Sequence, residues 1–179
     1  MKPICVFGIL DTTTGREIAR EMLAWLHLYY DVRQVRHDGT QFEYPALALA
    51  KQLSEETGEP VLYIHTRGAV NKYPTTKPCR RCWREEFGTQ WAKYFALART
   101  EKPMVLCPFV DYDKETRYNG FVANAAAWRA IDLQPSRDRF DFERLWIKKD
   151  DVQVLGLLIH SDKHDIKKIR AYLLKNYSE

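Results

Sequence analysis

Short apolar runs rich in branched residues alternate along the chain with segments of helical periodicity. The run Ile4–Leu10 precedes an amphipathic segment, and the continuous apolar run 61–64 suits a strand that is buried on both faces of a sheet. Strands that alternate with helices predict a mostly parallel sheet with helices on both faces. We therefore expect an α/β protein with three α/β/α layers.

Capping and turn signals divide the chain further. The capping-box pattern Thr14-Gly15-Arg16-Glu17 predicts the start of the first helix, and Pro45 suits the first turn of the second. Residues 65–82 lack periodicity and are predicted as one long loop. A loop of this length in a compact domain more often has a function than none. A helix is predicted over 83–98. Further strands are predicted at 32–36, 104–109, 118–123 and 152–159, and a last helix from residue 162.

Length, charge and hydropathy limit the class of protein. A chain of 179 residues fits a single domain over 1–179. No apolar run approaches the roughly 20 residues that span a bilayer, and the first apolar stretch stops before Asp11, so we expect neither a transmembrane segment nor a signal peptide. The net charge of +4 is modest and indicates no nucleic-acid partner. These features predict a cytoplasmic protein, and its oligomeric state does not follow from them.

The sequence positions of the four cysteines favour structural thiols over metal-binding or redox-active ones. Cys5 and Cys107 lie inside apolar runs and are expected to be small buried side chains. Cys79 and Cys82 form a C-x-x-C pattern, but a second pair with metal spacing is missing. A zinc site or a redox pair is the alternative interpretation, and zinc would require two further ligands.

Polar residues follow several of the predicted strands. In parallel sheets, ligands bind outside the carboxyl ends of the strands, a rule that selects Asp11, Asp38, residues 65–68 and residues 111–113. The segment His65-Thr66-Arg67-Gly68 combines an imidazole, a hydroxyl, a guanidinium and a glycine that permits close backbone approach, which suits a diphosphate or a sugar. The alternative is a structural histidine followed by an ordinary turn.

A basic stretch over residues 67–84 and a pair of acids at 111 and 113 suggest phosphate binding and metal binding. Between residues 67 and 84 the chain carries six basic residues and no acid, so this stretch either holds phosphates or is a solvated loop. Asp111 and Asp113 form a D-x-D pattern, by which two carboxylates can hold Mg²⁺ or Mn²⁺ on a nucleotide diphosphate. The alternative for this pair is a solvated polar turn.

The later half of the chain offers groups suited to a sugar and its acceptor. Amide and aromatic groups near residues 119–128 suit sugar hydroxyls and the apolar face of a pyranose, or else a core strand with a turn. Asp141 and Glu143 lie among arginines, and either could take a proton from an acceptor hydroxyl. Surface ion pairs are the alternative for these acids. The candidate sugar-binding residues are Asn119, Gly120, Asn124 and Trp128.

Together these motifs resemble a known family. The segment from Glu43 to Ala50, followed by Val61-Leu62-Tyr63-Ile64-His65-Thr66-Arg67-Gly68, resembles small glycosyltransferase-like proteins that carry "YLHTKG" and then a "WR" helix, where Trp83-Arg84 stands here. Residues 119–124 resemble the "NGF" strand of those proteins, and residues 139–143 their late acidic motif. Polysaccharide-synthesis proteins of the rhamnan type share this order of elements.

The resemblance implies a reduced GT-A fold, which is Rossmann-like. By that reading Asp11 and Asp38 approach the nucleoside of a nucleotide-sugar, and the segment from His65 to Gly68 approaches its diphosphate and sugar. The sugar or acceptor pocket is then lined by Asn119, Gly120, Asn124 and Trp128, and Glu143 or Asp141 is the catalytic base.

One departure from the family bears on catalysis. Typical GT-A enzymes carry a metal-binding D-x-D after the strand that here ends in His65-Thr66-Arg67, and those acids are absent. Either basic side chains replace the ion, or Asp111 and Asp113 hold Mg²⁺ or Mn²⁺, or the domain does not catalyse.

The predicted function is sugar transfer from a nucleotide-sugar to a glycan or lipid-linked acceptor. The alternative is a non-catalytic sugar- or nucleotide-binding module in polysaccharide synthesis.

Overall fold

The computed structural model describes residues 2–66, 69, 74–110, 116, 120–136, 138, 140–146, 149–160 and 166–177. The strands in this part are β1 Ile4–Leu10, β2 Asp31–His37, β3 Val61–His65, β4 Met104–Val110, β5 Phe121–Ala123 and β6 Gln153–His160. The helices are α1 Thr13–Tyr29, α2 Tyr44–Thr57, α3 Thr76–Trp83, α4 Trp91–Ala98, α5 Ala125–Arg129, α6 Phe140–Glu143 and α7 Ile166–Tyr177, with a π-helical segment Arg84–Thr89 between α3 and α4.

The strands form one sheet in the order β2-β1-β3-β5-β4-β6. Strand β1 pairs in parallel with β2 and β3, and β4 pairs in parallel with β6, whereas β5 runs antiparallel to both of its neighbours. Five strands therefore share one direction, and their carboxyl ends meet at a single edge of the sheet. The predicted mostly parallel sheet is confirmed.

Side chains that alternate along the strands build a core on each face of the sheet. One core joins Phe7 of β1 to α1, α3, α4 and α7, and the other joins Val6 to α2, α5 and α6. Because both faces are covered, β1, β3, β4 and β5 carry apolar residues almost continuously, whereas the edge strand β2 is largely polar. The three-layer α/β/α architecture is thus confirmed and is Rossmann-like.

The first helix begins two residues before the predicted capping box. Thr12 has an extended backbone, and its hydroxyl accepts a 3.0 Å hydrogen bond from the Gly15 N–H. Thr12 is therefore the N-cap, and the pattern starting at Thr14 was wrong as a boundary. A Cβ on Gly15 would lie 1.9 Å from the carbonyl oxygen of Leu10, so glycine is needed where α1 turns away from β1.

The predicted loop 65–82 was wrong in its second half, because α3 begins at Thr76. Pro78 lies in the first turn of α3, where the missing proline N–H removes no intrahelical hydrogen bond. The predicted helix 83–98 is also divided. Its first part is the π-helical segment, and α4 starts anew at Trp91.

Cys5 and Cys107 are buried, as expected, and Cys79 and Cys82 are buried free thiols as well. Cys79 and Cys82 lie one turn apart on α3, which packs against α7. Burial raises the pKa of both the Cys5 and Cys82 thiols, which disfavours the reactive thiolate.

Among the helices that the structure describes, none combines the length and the apolar character needed to cross a bilayer.

Candidate functional site at the carboxyl edge of the sheet

Asp11 and Asp38 follow the ends of two neighbouring strands. Leu10 pairs with His37 across β1 and β2, and the Asp11 N–H extends this pairing with a 2.8 Å hydrogen bond to the His37 carbonyl. Both carboxylates are exposed at the edge of the sheet. The structure thus brings together two of the residues predicted to approach a nucleoside.

His65 and Thr66 stand on the other side of β1. The Thr66 N–H donates to the Gly8 carbonyl at 2.9 Å, and the Thr66 hydroxyl accepts from the Leu10 N–H at 3.0 Å. The chain goes from β1 to β2 on one side of the sheet and then crosses to β3 on the other. Such a reversal opens a crevice between the carboxyl ends of β1 and β3, which is where α/β proteins bind ligands.

Glu43 enters this crevice from the residue before α2. Its Oε1 lies 3.4 Å from Nδ1 of His65, and both side chains are largely buried, with exposed fractions of 18% and 14%. Gly8 makes the approach possible, because a Cβ there would lie 3.2 Å from the Ala46 Cβ in the first turn of α2. We call Asp11, Asp38, Glu43, His65 and Thr66 the carboxyl-edge site.

Aromatic rings hold the His65 imidazole from two directions. The Tyr63 ring is nearly parallel to it, with centroids 6.2 Å apart, and the Trp83 indole is tilted against it at 5.6 Å. Burial raises the pKa of the Tyr63 hydroxyl, and the Glu43 carboxylate raises it further. Tyr63 therefore stays a neutral hydroxyl beside an acid.

His37 is a second imidazole at this edge. Burial lowers its pKa and the nearby His65 lowers it further, while Glu43 and Asp38 act in the opposite direction. The Nδ1 atom of His37 and the Nε1 atom of Trp83 are buried without a hydrogen-bond partner among the described residues. Buried polar atoms are nearly always bonded, so these two atoms are exceptions to the usual pattern in the described part of the structure.

The two exposed acids differ in their surroundings. Asp38 accepts hydrogen bonds from the N–H and the hydroxyl of Thr40, which lower the pKa of its carboxyl. Asp11 pairs with Arg16 at 2.8 Å in a solvent-exposed ion pair. An ionised Asp38 can accept hydrogen bonds from ribose hydroxyls or from a base N–H.

Residues predicted to contact the sugar have other partners in the structure. The Asn124 side chain caps α5 through the Ala127 N–H, accepts from the Met104 N–H, and donates to three backbone carbonyls in 98–102. Trp128 is fully buried against Phe121 and Trp146. Neither side chain is open to a ligand in this arrangement.

Gly120 is buried, and the reason is steric. A Cβ at this position would lie 2.7 Å from Cε2 of Trp83. The glycine therefore allows the indole to pack beside His65. It thereby supports the packing of Trp83 against His65, and its predicted contact with a sugar stays a prediction.

The remaining predicted site residues are only partly described. Asp141 is exposed on α6 and accepts a hydrogen bond from the Ser136 hydroxyl. Glu143 is the last residue of α6, and its side chain lies outside the described part of the structure. Also outside it are Arg67, Gly68, Asp111, Asp113 and Asn119. In the part that is described, no three His, Cys, Asp or Glu side chains form a group that could hold a metal ion.

Two residues of the basic segment 67–84 stabilise the fold. Arg80 lies 3.3 Å from the Glu21 carboxylate of α1, and Arg81 donates to the Tyr177 carbonyl at the end of α7. These contacts connect α3 to its neighbours. They favour a structural role for this part of the segment over phosphate binding.

Sequence reasoning gave no role to Glu43, His37 or Trp83. Glu43 and Trp83 lie in the segments that carry the family resemblance, yet the pattern of a single sequence does not reveal a contact over 22 residues of chain. The sequence feature that could have pointed to Glu43 is its position, an acid directly before the start of α2.

A comparison of the chain with known protein families, with characterised proteins and with solved structures finds no match.

Proposed function

We propose that this protein is a cytoplasmic glycosyltransferase that binds a nucleotide-sugar at the carboxyl-edge site. The observation that carries the proposal is the arrangement at the carboxyl ends of β1, β2 and β3, where the acids Asp11 and Asp38 and the Glu43–His65 pair lie. A ligand that suits it has hydroxyl and N–H donors as well as phosphate acceptors. A nucleotide-sugar combines all of these groups.

Each side of the crevice has its own part in this proposal. Asp38 and Asp11 accept hydrogen bonds from the nucleoside, and the His65 side receives the diphosphate. The first turn of α1, capped by Thr12, adds backbone N–H groups and the positive end of a helix dipole near the same crevice. Arg67 and Gly68 belong to the diphosphate side on the strength of the family resemblance.

The proposed reaction transfers a sugar to a glycan or lipid-linked hydroxyl. The acceptor oxygen forms a bond to the anomeric carbon, the bond from that carbon to the diphosphate oxygen breaks, and Glu143 or Asp141 takes the hydroxyl proton. Positive groups stabilise the departing diphosphate. Asp111 and Asp113 are the residues that would hold Mg²⁺ or Mn²⁺ if an ion takes part.

A non-catalytic nucleotide-sugar-binding module is the second candidate. The observation that favours it is the occupation of Asn124 by backbone groups and the complete burial of Trp128, which leave two of the proposed sugar contacts closed. Such a module binds the donor and does not turn it over. The two candidates therefore make different predictions for one assay.

Donor binding is tested by isothermal titration calorimetry with UDP-glucose, GDP-mannose and dTDP-glucose. We expect at least one to bind, and Asp38→Asn to weaken it on the order of tenfold, the effect of losing one charge-assisted hydrogen bond. The matched control is Asp31→Asn, which changes an exposed acid at the opposite end of the same strand. No binding by any donor, or equal affinity in Asp38→Asn, Asp31→Asn and the parent protein, overturns the proposal.

Turnover separates the enzyme from the module. Slow hydrolysis of the bound donor, measured with and without Mn²⁺, supports a transferase, and Glu143→Gln or Asp141→Asn should abolish it without changing donor affinity. Binding with no hydrolysis in either condition favours the module. Full hydrolysis in both variants contradicts the assignment of the base.

A further inference from the structure

The Glu43–His65 pair depends on an unusual backbone conformation. Phe42, the residue before Glu43, has a φ of 46°, which places a bulky residue in the left-handed region. Strained conformations of this kind cluster at active sites and ligand clamps. The strained residue thus lies directly beside the carboxylate that reaches His65.

The pair determines which nitrogen of His65 can serve a ligand as a donor. A carboxylate 3.4 Å from Nδ1 favours a proton on that nitrogen, whether the ring is neutral or charged. Nε2 then changes from an acceptor to a donor when the ring is protonated. An opposite charge at this distance favours the charged ring, whereas burial of the ring opposes it.

In the described part of the structure, Glu43 is an acid at ion-pair distance from His65, and other elements pack around the same ring. From β2, His37 faces it with a pKa lowered by burial and by His65 itself, with Asp38 beyond. From β3, Tyr63 stays neutral because burial raises its pKa. β1 presents Gly8, and α3 presents the uncharged Trp83 indole.

We propose that Glu43 is a positioning residue that acts through His65: its carboxylate holds the imidazole at the carboxyl edge and supports the positive charge with which the ring binds the diphosphate of a nucleotide-sugar. This inference rests on the function proposed above. It adds a cationic group to the diphosphate side of the crevice, and it makes donor affinity depend on pH in the range where a histidine titrates.

The test measures donor affinity by calorimetry between about pH 5.5 and about pH 8. A nucleotide-sugar is the right probe because the sugar blocks the terminal phosphate oxygen, so the phosphate ionisation near pH 6 that a free nucleotide shows is absent. We expect tighter binding at low pH in the parent protein. In Glu43→Gln the midpoint of this profile should move about one pH unit lower.

Two further variants make the result specific. Glu59→Gln removes an exposed carboxylate that pairs with Arg99 beyond the opposite end of β3, and it should leave the midpoint unchanged. His65→Gln should bind at low pH no better than the parent protein binds at high pH, which separates His65 from His37. Because His65→Gln leaves Glu43 in place, it tests the role of the ring even if Glu43→Gln fails to fold.

NMR titration of the His65 ring provides a readout that does not need a ligand. Its midpoint should also fall in Glu43→Gln, and an unchanged ring midpoint overturns the pairing. If no donor binds, the proposed function fails while the ring titration still decides on the pair. Donor binding with the same pH profile in the parent protein and in Glu43→Gln overturns the inference and leaves the proposed function standing.

Discussion

The side-chain hydroxyl of Thr66 accepts a hydrogen bond from the backbone N–H of Leu10, across 56 residues of chain and a distance of 3.0 Å. This bond joins the end of β1 to the end of β3 just where the two strands stop pairing. It holds together the two points at which the neighbouring segments leave the sheet. Thr66 is almost fully buried, so water replaces this bond poorly.

Thr66→Val should destabilise the protein by about 1–2 kcal/mol, because valine keeps the shape of threonine and leaves the Leu10 N–H without a partner. Urea unfolding measures the change in the free energy of unfolding. Thr66→Ser is the matched control, since it retains the hydroxyl. Equal stability of the valine variant and the parent protein would show that water or another group satisfies Leu10.

Gly120→Ala should cost about 1–3 kcal/mol, the usual effect of overpacking a core. The added methyl group would lie 2.7 Å from the Trp83 indole, which cannot move without disturbing His65. Near-UV circular dichroism should report the shift of the indole. Gly88→Ala is the control, because the nearest side-chain atom there is at 3.5 Å; equal losses in both variants would contradict the steric explanation.

Asn124→Asp should destabilise the protein by about 3 kcal/mol at neutral pH, although aspartate normally caps helices as well as asparagine does. The amide group of Asn124 donates to the carbonyls of Ala98, Thr100 and Lys102, and a carboxylate would face them as an anion. The introduced carboxyl therefore favours its protonated form, so the stability of the variant should fall as pH rises above about 4.

Unfolding by urea at several pH values measures this dependence. Asn176→Asp serves as the comparison, since Asn176 is exposed on α7 and donates to one carbonyl, that of Tyr172. A pH profile of Asn124→Asp that parallels the parent protein would mean that the three carbonyl contacts carry little energy.

Glu86→Gln should stabilise the protein at pH 8. Burial raises the pKa of the Glu86 carboxyl, and the 2.8 Å hydrogen bond from the Tyr94 hydroxyl opposes this only in part. A carboxyl with a raised pKa in the folded state adds stability at low pH and loses it as pH rises through that pKa. The glutamine keeps an oxygen for Tyr94 and removes the buried charge.

The gain should therefore shrink as the pH is lowered toward about 4, where the carboxyl of the parent protein is protonated. Chemical denaturation at both ends of this range provides the comparison. Glu85→Gln, a change at the exposed neighbour, should show no such trend. A glutamine variant that is less stable than the parent protein at pH 8 would indicate that the charge is compensated.

The sheet and the position of its carboxyl edge could be predicted, because a strand that is buried on both faces leaves a local apolar signature. Asp11 and Thr66 follow such strands, β1 and β3, and Asp38 follows the edge strand β2; all three lie where the rule for parallel sheets puts them. The start of α3 could not be recognised, because Pro78 and the basic residues around it conceal a helix that depends on packing against α7. The function of the edge stays a prediction.

The residues of the later half show a different limit of sequence reasoning. Asn124 and Trp128 have the chemistry of sugar contacts, but the same amide and ring suit a helix cap and a core, and only the tertiary structure distinguishes the two. Glu43 shows the opposite case, a residue at the candidate site that no local sequence pattern singles out. Its contact with His65 arises from the crossing of α2 over Gly8, which no local pattern encodes.

The walls of the crevice belong to different cores. Asp11 leads into α1, which packs with Trp25 in one core, while Glu43 leads into α2, which packs with Leu47 in the other, and the sheet separates them. Substitutions in α2 can therefore reshape the His65 side without repacking α1. If a ligand binds at this edge, its preference can diverge through one layer while the other layer preserves the fold, and directed evolution of specificity should begin with residues of α2.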